Sequence, residues 1–507
     1  MKKFRSALTL AALLTLVLTS TVSAQYSGYA WSTAYQVVNM GDAATYINID
    51  YYDTSGNVVS AAHKSYTGVL PGSSRLVVQF TDDPNLPSGR YSAVISAGQP
   101  IAAIANQQLV PSGASNYSPA PPFSTYSGQS EGAASITLPA VMYNWYGYYT
   151  EFYIMNVGTA SATNVDISYI PGTMMGATTG ASGVTNNDNT IAQYASLQVS
   201  QESLTTLGAP SGWPAGRFLG SAVITSDQPI IAVVNQHNVT DHKLMTYNGF
   251  AGGATDIAAP VHMRGYFGYY STMLIANPST TATAHVNITY TPTGAYNEVS
   301  SGTIGPVTVA YDIAPQTALT RYDGPGASDD QSDLDDSPVF TRFYGSVRIS
   351  SDIDVVVQVN VEAVATGDDQ AGSYNGIPIA DATQDIVVPV ILADFYGYYT
   401  TLVVQNATGT AGSCDVTYTS DDTYSAVPGH SATYTHALPA SGTFTVYEGR
   451  KGAPSGDINL DPTNWGASTR FLGAAAIHCT VNAMAIVNEE SDVSLRDSMY
   501  TFNTFNK

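Results

Sequence analysis

Apolar and polar residues alternate with a period of two at four places along the chain. Ile47, Ile49 and Tyr51 alternate with Tyr46, Asn48 and Asp50, and Val165, Ile167 and Tyr169 with Asn164, Asp166 and Ser168. Val286, Ile288 and Tyr290 alternate with His285, Asn287 and Thr289, and Cys414, Val416 and Tyr418 with Asp415 and Thr417. This period marks a strand with one wet and one buried face. Each run follows an aromatic-rich stretch that ends in Asn: YAWSTAYQVVN at Asn39, WYGYYTEFYIMN at Asn156, YFGYYSTMLIAN at Asn277 and FYGYYTTLVVQN at Asn406. The four Asn residues are 117, 121 and 129 positions apart, the size of a whole β-sandwich domain rather than of a propeller blade or a solenoid turn.

Each unit closes on a third pattern. RYSAVISAGQPIAAIAN ends at Asn106, RFLGSAVITSDQPIIAVVN at Asn235, RFYGSVRISSDIDVVVQVN at Asn360 and RFLGAAAIHCTVNAMAIVN at Asn488. Two apolar runs around a short polar turn read as a hairpin. The second unit then has seven predicted strands, over 136–142, 150–156, 164–170, 193–199, 218–225, 229–235 and 244–250. The expectation is an all-β chain of four tandem immunoglobulin-like sandwiches, with jelly-roll connectivity also open. The repeats are expected at 25–117, 136–250, 257–379 and 386–507, with a Pro- and Ser-rich linker at 118–135. The short spacers after repeats two and three suggest modules stacked as a stiff rod. Repeats two to four open with a strand that carries Pro139, Pro260 or Pro389. The first has no room for it after Gln25, so one module is expected to be a strand short.

Residues 1–24 read as a secretory signal peptide outside the fold: Lys2, Lys3 and Arg5, an apolar run from Ala7 to Leu18, and a small-residue VSA site before Gln25. The chain carries 17 basic and 39 acidic residues, for a net charge of −22; without the leader, 14 basic residues leave −25. Such a surface repels nucleic acid and anionic membranes, so neither nucleic-acid binding nor membrane insertion is expected. The expected location is extracellular or at the cell surface.

The GYYT…N opening, the Arg-aromatic-x-Gly close and the YNG at Tyr247–Gly249 and Tyr374–Gly376 together resemble secreted bacterial tandem-repeat proteins built from β-sandwich modules. The resemblance covers nearly all of the chain after residue 24. It implies the fold and export, and names no ligand.

Catalytic constellations are absent from the pattern. GQSEG at 128–132 matches a hydrolase string, but Ser130 has neither the strand before it nor the helix after it that a nucleophile elbow needs. His237, Asp241 and His242 read as a polar loop. The acidic loop of the third repeat, with Asp323, Asp329, Asp330, Asp333, Asp335 and Asp336, crowds carboxylates as a Ca²⁺ site does; a solvated acidic segment is the plainer reading. The same choice applies to Asp457, Asn459 and Asp461. Cys414 and Cys479 fall in one repeat of an exported chain and are expected to be paired.

The Tyr pairs after each turn Gly are Tyr148 and Tyr149, Tyr269 and Tyr270, and Tyr398 and Tyr399. They suit either sugar stacking or packing at module seams, and their recurrence at one end of each unit favours seams. Arg90, Arg217, Arg342 and Arg470 suit ion pairs or ring stacking. The expected function is a non-enzymatic structural or adhesive protein of the cell surface or matrix, self-assembling into a layer or filament. The alternative is a carbohydrate-binding protein for extracellular polysaccharide. No cofactor is implied beyond structural Ca²⁺, and the expected partners are the chain itself or extracellular glycans.

Overall fold

The computed structural model describes residues 11–16, 29–111, 123–175, 184–201, 217–238, 243–294, 296–326, 331–335, 338–363, 370–421, 428–448, 456–458, 465, 470–491 and 499–507. The chain is all-β in several antiparallel sheets, with one four-residue helix at Gln79–Asp82 among the described residues.

The second repeat shows how the units are built. Its strands are Ala133–Tyr143, Tyr148–Asn156, Ala162–Pro171, Val184–Ile191, Ser196–Ser200, Phe218–Asn238 and Lys243–Asn248. The expected closing hairpin is instead one long strand. The first part of Phe218–Asn238 pairs with Ala162–Pro171 and Ala133–Tyr143, and the second part with Tyr148–Asn156 and Lys243–Asn248. Phe340–Ala363 and Phe471–Ser491 do the same, while the first repeat divides the path into Tyr91–Ala97 and Ile101–Pro111. The polar segment has no residue pair suited to a two-residue hairpin turn. It is therefore a bend through which the strand passes from one sheet to the other. Pro139, Pro260 and Pro389 lie where the register against the long strand shifts, a place where a missing N–H does no harm.

The repeated Asn explains the end of the opening motif. Each one is buried, and its Nδ2 donates to two carbonyls. Asn39 bonds Ala43 and Val69 at 2.8 and 2.9 Å, and Asn156 bonds Ala160 and Ile191 at 2.7 and 2.9 Å. Asn277 bonds Ala282 and Ile313 at 2.8 and 2.9 Å, and Asn406 bonds Thr410 and Pro439 at 2.8 and 2.9 Å. Each Oδ1 accepts an N–H two residues on. The motif recurs because each unit must satisfy the same loop backbone.

Two expectations about the first repeat are corrected. Ala11–Leu16 is a strand on Tyr91–Ala97, in the place that Ala133–Tyr143 takes in repeat two, so the slot is filled from upstream of Gln25. The expected linker is partly strand: Phe123–Ser127 pairs with Ile101–Pro111, and Ala133–Tyr143 begins before 136. Tyr126-Ser127-Gly128 is the first repeat's version of the YNG close.

The repeats form a closed cycle rather than a rod. Their closing strands, Phe123–Ser127, Lys243–Asn248, Ala371–Asn375 and Met499–Asn503, each pack on the next, and the last returns to the first. Nδ2 of Asn248 donates to Ser127 O (2.9 Å), Nδ2 of Asn375 to Asn248 O (2.8 Å) and Nδ2 of Asn503 to Asn375 O (2.6 Å); Ser127 Oγ completes the circuit to Asn503 O (3.1 Å). The cores interlock in the same sense. Val233 enters the core of repeat one, Leu274 that of repeat two, Val403 and Ile486 that of repeat three, and Ile104 that of repeat four. Strands that lie at these seams are buried on both faces. In Tyr148–Asn156, Phe152 and Ile154 face their own core, while Met155 packs near Val94 of repeat one.

Candidate functional site

The aromatic turns are two-residue hairpin loops. Trp145 pairs with Tyr148, Tyr266 with Tyr269 and Phe395 with Tyr398. Both central residues have positive φ: Tyr146 and Gly147 at 49° and 85°, Phe267 and Gly268 at 47° and 86°, and Tyr396 and Gly397 at 55° and 85°. Such turns match strand twist and favour Asn or Gly at the first central position. An aromatic residue there costs roughly 1–2 kcal/mol. The three rings are nevertheless 73%, 71% and 67% exposed, so burial does not offset that cost. Arg217 lies over Trp145 and Tyr146 at 4.9 and 5.6 Å, and Arg470 over Phe395 and Tyr396 at 5.5 and 4.6 Å. Arg342 pairs with Glu298 at 2.6 Å, and Arg90 bonds Gln198 of the next repeat at 2.7 Å.

The Tyr residues after each Gly lie lower, toward the seams. Tyr148 OH donates to Glu362 Oε2 of repeat three at 2.8 Å, and Tyr398 packs beside Phe123 and Tyr500. Tyr149 meets Tyr143 and His237, Tyr269 bonds Gln370, Tyr270 is half-buried, and Tyr399 is buried with its hydroxyl 3.4 Å from Glu490. Between repeats three and four, Tyr266 OH lies 3.3 Å from Tyr447 OH.

Among the described residues, cavities open beneath the turns of repeats two and four. The one between repeats two and three measures about 430 Å³ and is walled by Trp145, Tyr146, Tyr148 and Tyr322 with Met142, Met174 and Met245. Its floor holds a largely buried ion pair: Lys243 Nζ donates to Glu362 Oε2 at 3.0 Å and to Ala363 O at 2.8 Å. The one between repeats four and one measures about 200 Å³ and has Phe395, Tyr396 and Tyr398 over a neutral floor with Gln36, Asn106 and Gln108. The sequence reading missed the tip residues Tyr146, Phe267 and Tyr396, although an aromatic before the turn Gly was a usable signal. Lys243 and Glu362 lie 119 residues apart, and no local pattern connects them.

The third repeat's acidic loop is held by the protein's own cations. Asp333 is buried and pairs with Arg321 at 2.6 Å, with Tyr290 and Tyr311 also donating to it. Asp335 pairs with Arg264. Asp323 lies 2.6 Å from His262 Nε2 and also bonds Ser332. Burial works to raise the Asp323 carboxyl, but His262, Ser332 and Arg264 outweigh it and hold it below the usual range. Asp329, Asp330 and Asp336 lie outside the described residues, as do Asn459, Asp461, Asp241 and His242. Asp457 is bonded by Tyr418 and His436. Among the described residues no group of three or more His, Cys, Asp or Glu side chains is placed to hold a metal. Ser130 is exposed in a bend and His237 is buried. Cys414 and Cys479 sit directly opposite each other on neighbouring strands and are joined as a disulfide.

No family model matches the chain, and no curated protein matches it. Among solved structures, one titled "Crystal Structure of Thermotoga maritima 1070" is 20% identical, with 25% of this chain and 95% of that one covered and a TM-score of 0.18. A DUF4785 family protein from Legionella pneumophila is 7% identical, with 74% and 89% covered and a TM-score of 0.10.

Proposed function

We propose that the chain is a secreted, non-enzymatic structural or adhesive protein of the cell surface or extracellular matrix, made of four immunoglobulin-like modules that act as one rigid cyclic platform. The observation that carries this reading is the closed circuit of closing strands, in which Asn248, Asn375, Asn503 and Ser127 tie each repeat to its neighbour. Interlocked cores resist the domain motions that a chain of loosely linked modules would allow. The leader-like first 24 residues and the Cys414–Cys479 disulfide fit an oxidising compartment. Cleavage after Ala24 removes the Ala11–Leu16 strand and leaves the edge of Tyr91–Ala97 unpaired, which is where addition of a strand from a second chain would begin. The C-terminal strands are engaged within their own repeat, so that donor would have to be another segment. Cell fractionation with surface imaging tests the reading. Recovery at the exterior of intact cells is expected, and confinement to the cytoplasm would overturn it.

A second reading, binding to extracellular polysaccharide, is favoured by one observation: Tyr146, Phe267 and Tyr396 hold exposed rings in a conformation that other residues adopt at lower cost. Strain of this kind concentrates at functional sites, and an exposed ring offers a stacking face.

A further inference from the structure

We infer that the cavity between repeats two and three is a binding site for one pyranose unit of an uncharged glycan; this rests on the polysaccharide-binding reading. Its volume, about 430 Å³, falls within the roughly 300–1,000 Å³ common for small-molecule sites. Its lining combines aromatic and thioether side chains with polar groups that include Lys243, Glu362 and Asn360, the mixture that a sugar ring's C–H faces and hydroxyl rim require. Tyr146 stands at the mouth with its ring exposed, backed by the Arg217 guanidinium.

The floor supplies directed hydrogen bonds. Tyr148 and Lys243 both donate to Oε2 of Glu362, and no bond to Oε1 is made among the described residues, which leaves it to accept a sugar hydroxyl. Lys243 spends two of its three N–H donors on Glu362 and Ala363, and the third is available to a ring or hydroxyl oxygen. Lysine and glutamate cancel, so the floor carries no net charge, while the whole chain carries −22. That field disfavours uronates and other anionic sugars and selects neutral ones. The cavity between repeats four and one lacks the ion pair, with Gln108 in the register position of Glu362, and has less than half the volume. The ion pair therefore distinguishes the seam between repeats two and three from the seam between repeats four and one.

The test is calorimetric titration of the full chain with cellohexaose, mannohexaose and chitohexaose, and with hexagalacturonate as the anionic control, each to about 1 mM. At least one neutral hexasaccharide is expected to bind with one site per chain, and hexagalacturonate to bind more weakly than it. Tyr146→Gly keeps a residue that accepts positive φ, so the melting temperature should hold or rise while affinity falls about tenfold. Tyr396→Gly should leave affinity unchanged. Full affinity in Tyr146→Gly would move the glycan elsewhere on the chain and overturn this site while sparing the polysaccharide reading. Preference for hexagalacturonate would overturn the selection for neutral sugars. Absence of binding by all three neutral sugars would overturn the site and the reading beneath it together.

Discussion

Repeats three and four place an acid at the same point of the fold and keep it there by opposite means. Asp323 N donates to Ser271 O at 3.1 Å and Glu448 N to Thr400 O at 2.8 Å; the second repeat has Gln201 there, bonded to Thr150 O at 3.0 Å. Repeat three surrounds its acid with the His262 ring and the Arg264 guanidinium, and Arg321, two residues before it, serves Asp333. In repeat four the matching register positions hold Ile391, Ala393 and Val446. Glu448 has Tyr418 and the Ile458 N–H as donors, with Asp457 nearby. Burial pushes its carboxyl up to about 7, opposed in part by those hydrogen bonds. A buried acid that is given cations stays charged; one given neutral donors holds its proton. The two repeats thus share a backbone position and differ in the charge state of what occupies it.

The largest effect should come from removing a cation in repeat three. Arg321 and Asp333 are both buried, so Arg321→Met leaves a carboxylate without its counter-charge. A loss of roughly 3–5 kcal/mol is expected, read as a lower denaturation midpoint at neutral pH. A variant as stable as the parent would show that Tyr290 and Tyr311 suffice for Asp333, and the contrast with repeat four would collapse.

Repeat four also has a covalent bond that repeat three lacks, where the matching pair is Val286 and Ser351. The Cys414–Cys479 disulfide closes a loop with a sequence separation of 65, which in the chain-entropy model contributes up to about 4 kcal/mol. The other repeats indicate a replacement that packs: Val at the first position, as in Val286, and Ser at the second, as in Ser226. The double variant Cys414→Val, Cys479→Ser should melt lower than the parent, with hydrogen exchange accelerated in Phe471–Ser491 before Phe340–Ala363. Equal acceleration in both strands would mean that the cycle unfolds as one unit and that the staple is not local.

The sequence carried the strands and the repeat well, because a half-buried strand writes its geometry into every second residue. Ile47, Ile49 and Tyr51 and their counterparts are all buried as the alternation requires. The long sheet-crossing strand was misread as a hairpin because periodicity reports burial, not which strand lies alongside. The cycle was invisible for a related reason: Asn248, Asn375 and Asn503 bond across more than a hundred residues, and a polar YNG looks like a turn. At the seam cavity, Tyr148 was legible as a seam residue, but its partner Glu362 and the Lys243 beside it were ordinary charges in sequence. The acidic loop was legible as crowded carboxylate. That Arg264 and Arg321 would balance it depended on strand register, which composition does not encode.

The smallest effect is also the most discriminating, because it opposes the two repeats in sign. Glu448 titrates near 7 when folded against an ordinary value of 4.5, so the folded protein holds a proton that the unfolded chain releases. Its contribution to stability is complete below 4.5 and is lost as pH rises through about 7. The shift corresponds to about 3 kcal/mol. Asp323 is held below its ordinary value of 3.8; its contribution is present above 3.8 and is lost only as pH falls through the lower folded value. Between about pH 5 and 8, the contribution of Glu448 should therefore fall while that of Asp323 does not. Glu448→Gln installs the residue type of repeat two, which can accept from Tyr418 and is neutral at every pH. It should cost little near pH 5, where the parent's carboxyl is already protonated, and should make the decline toward pH 8 shallower. Scanning calorimetry of parent and variant at both pH values measures this directly. An identical decline in the variant would show that Glu448 is ionised in the folded protein, and that repeat four, like repeat three, buries its acid as a charge.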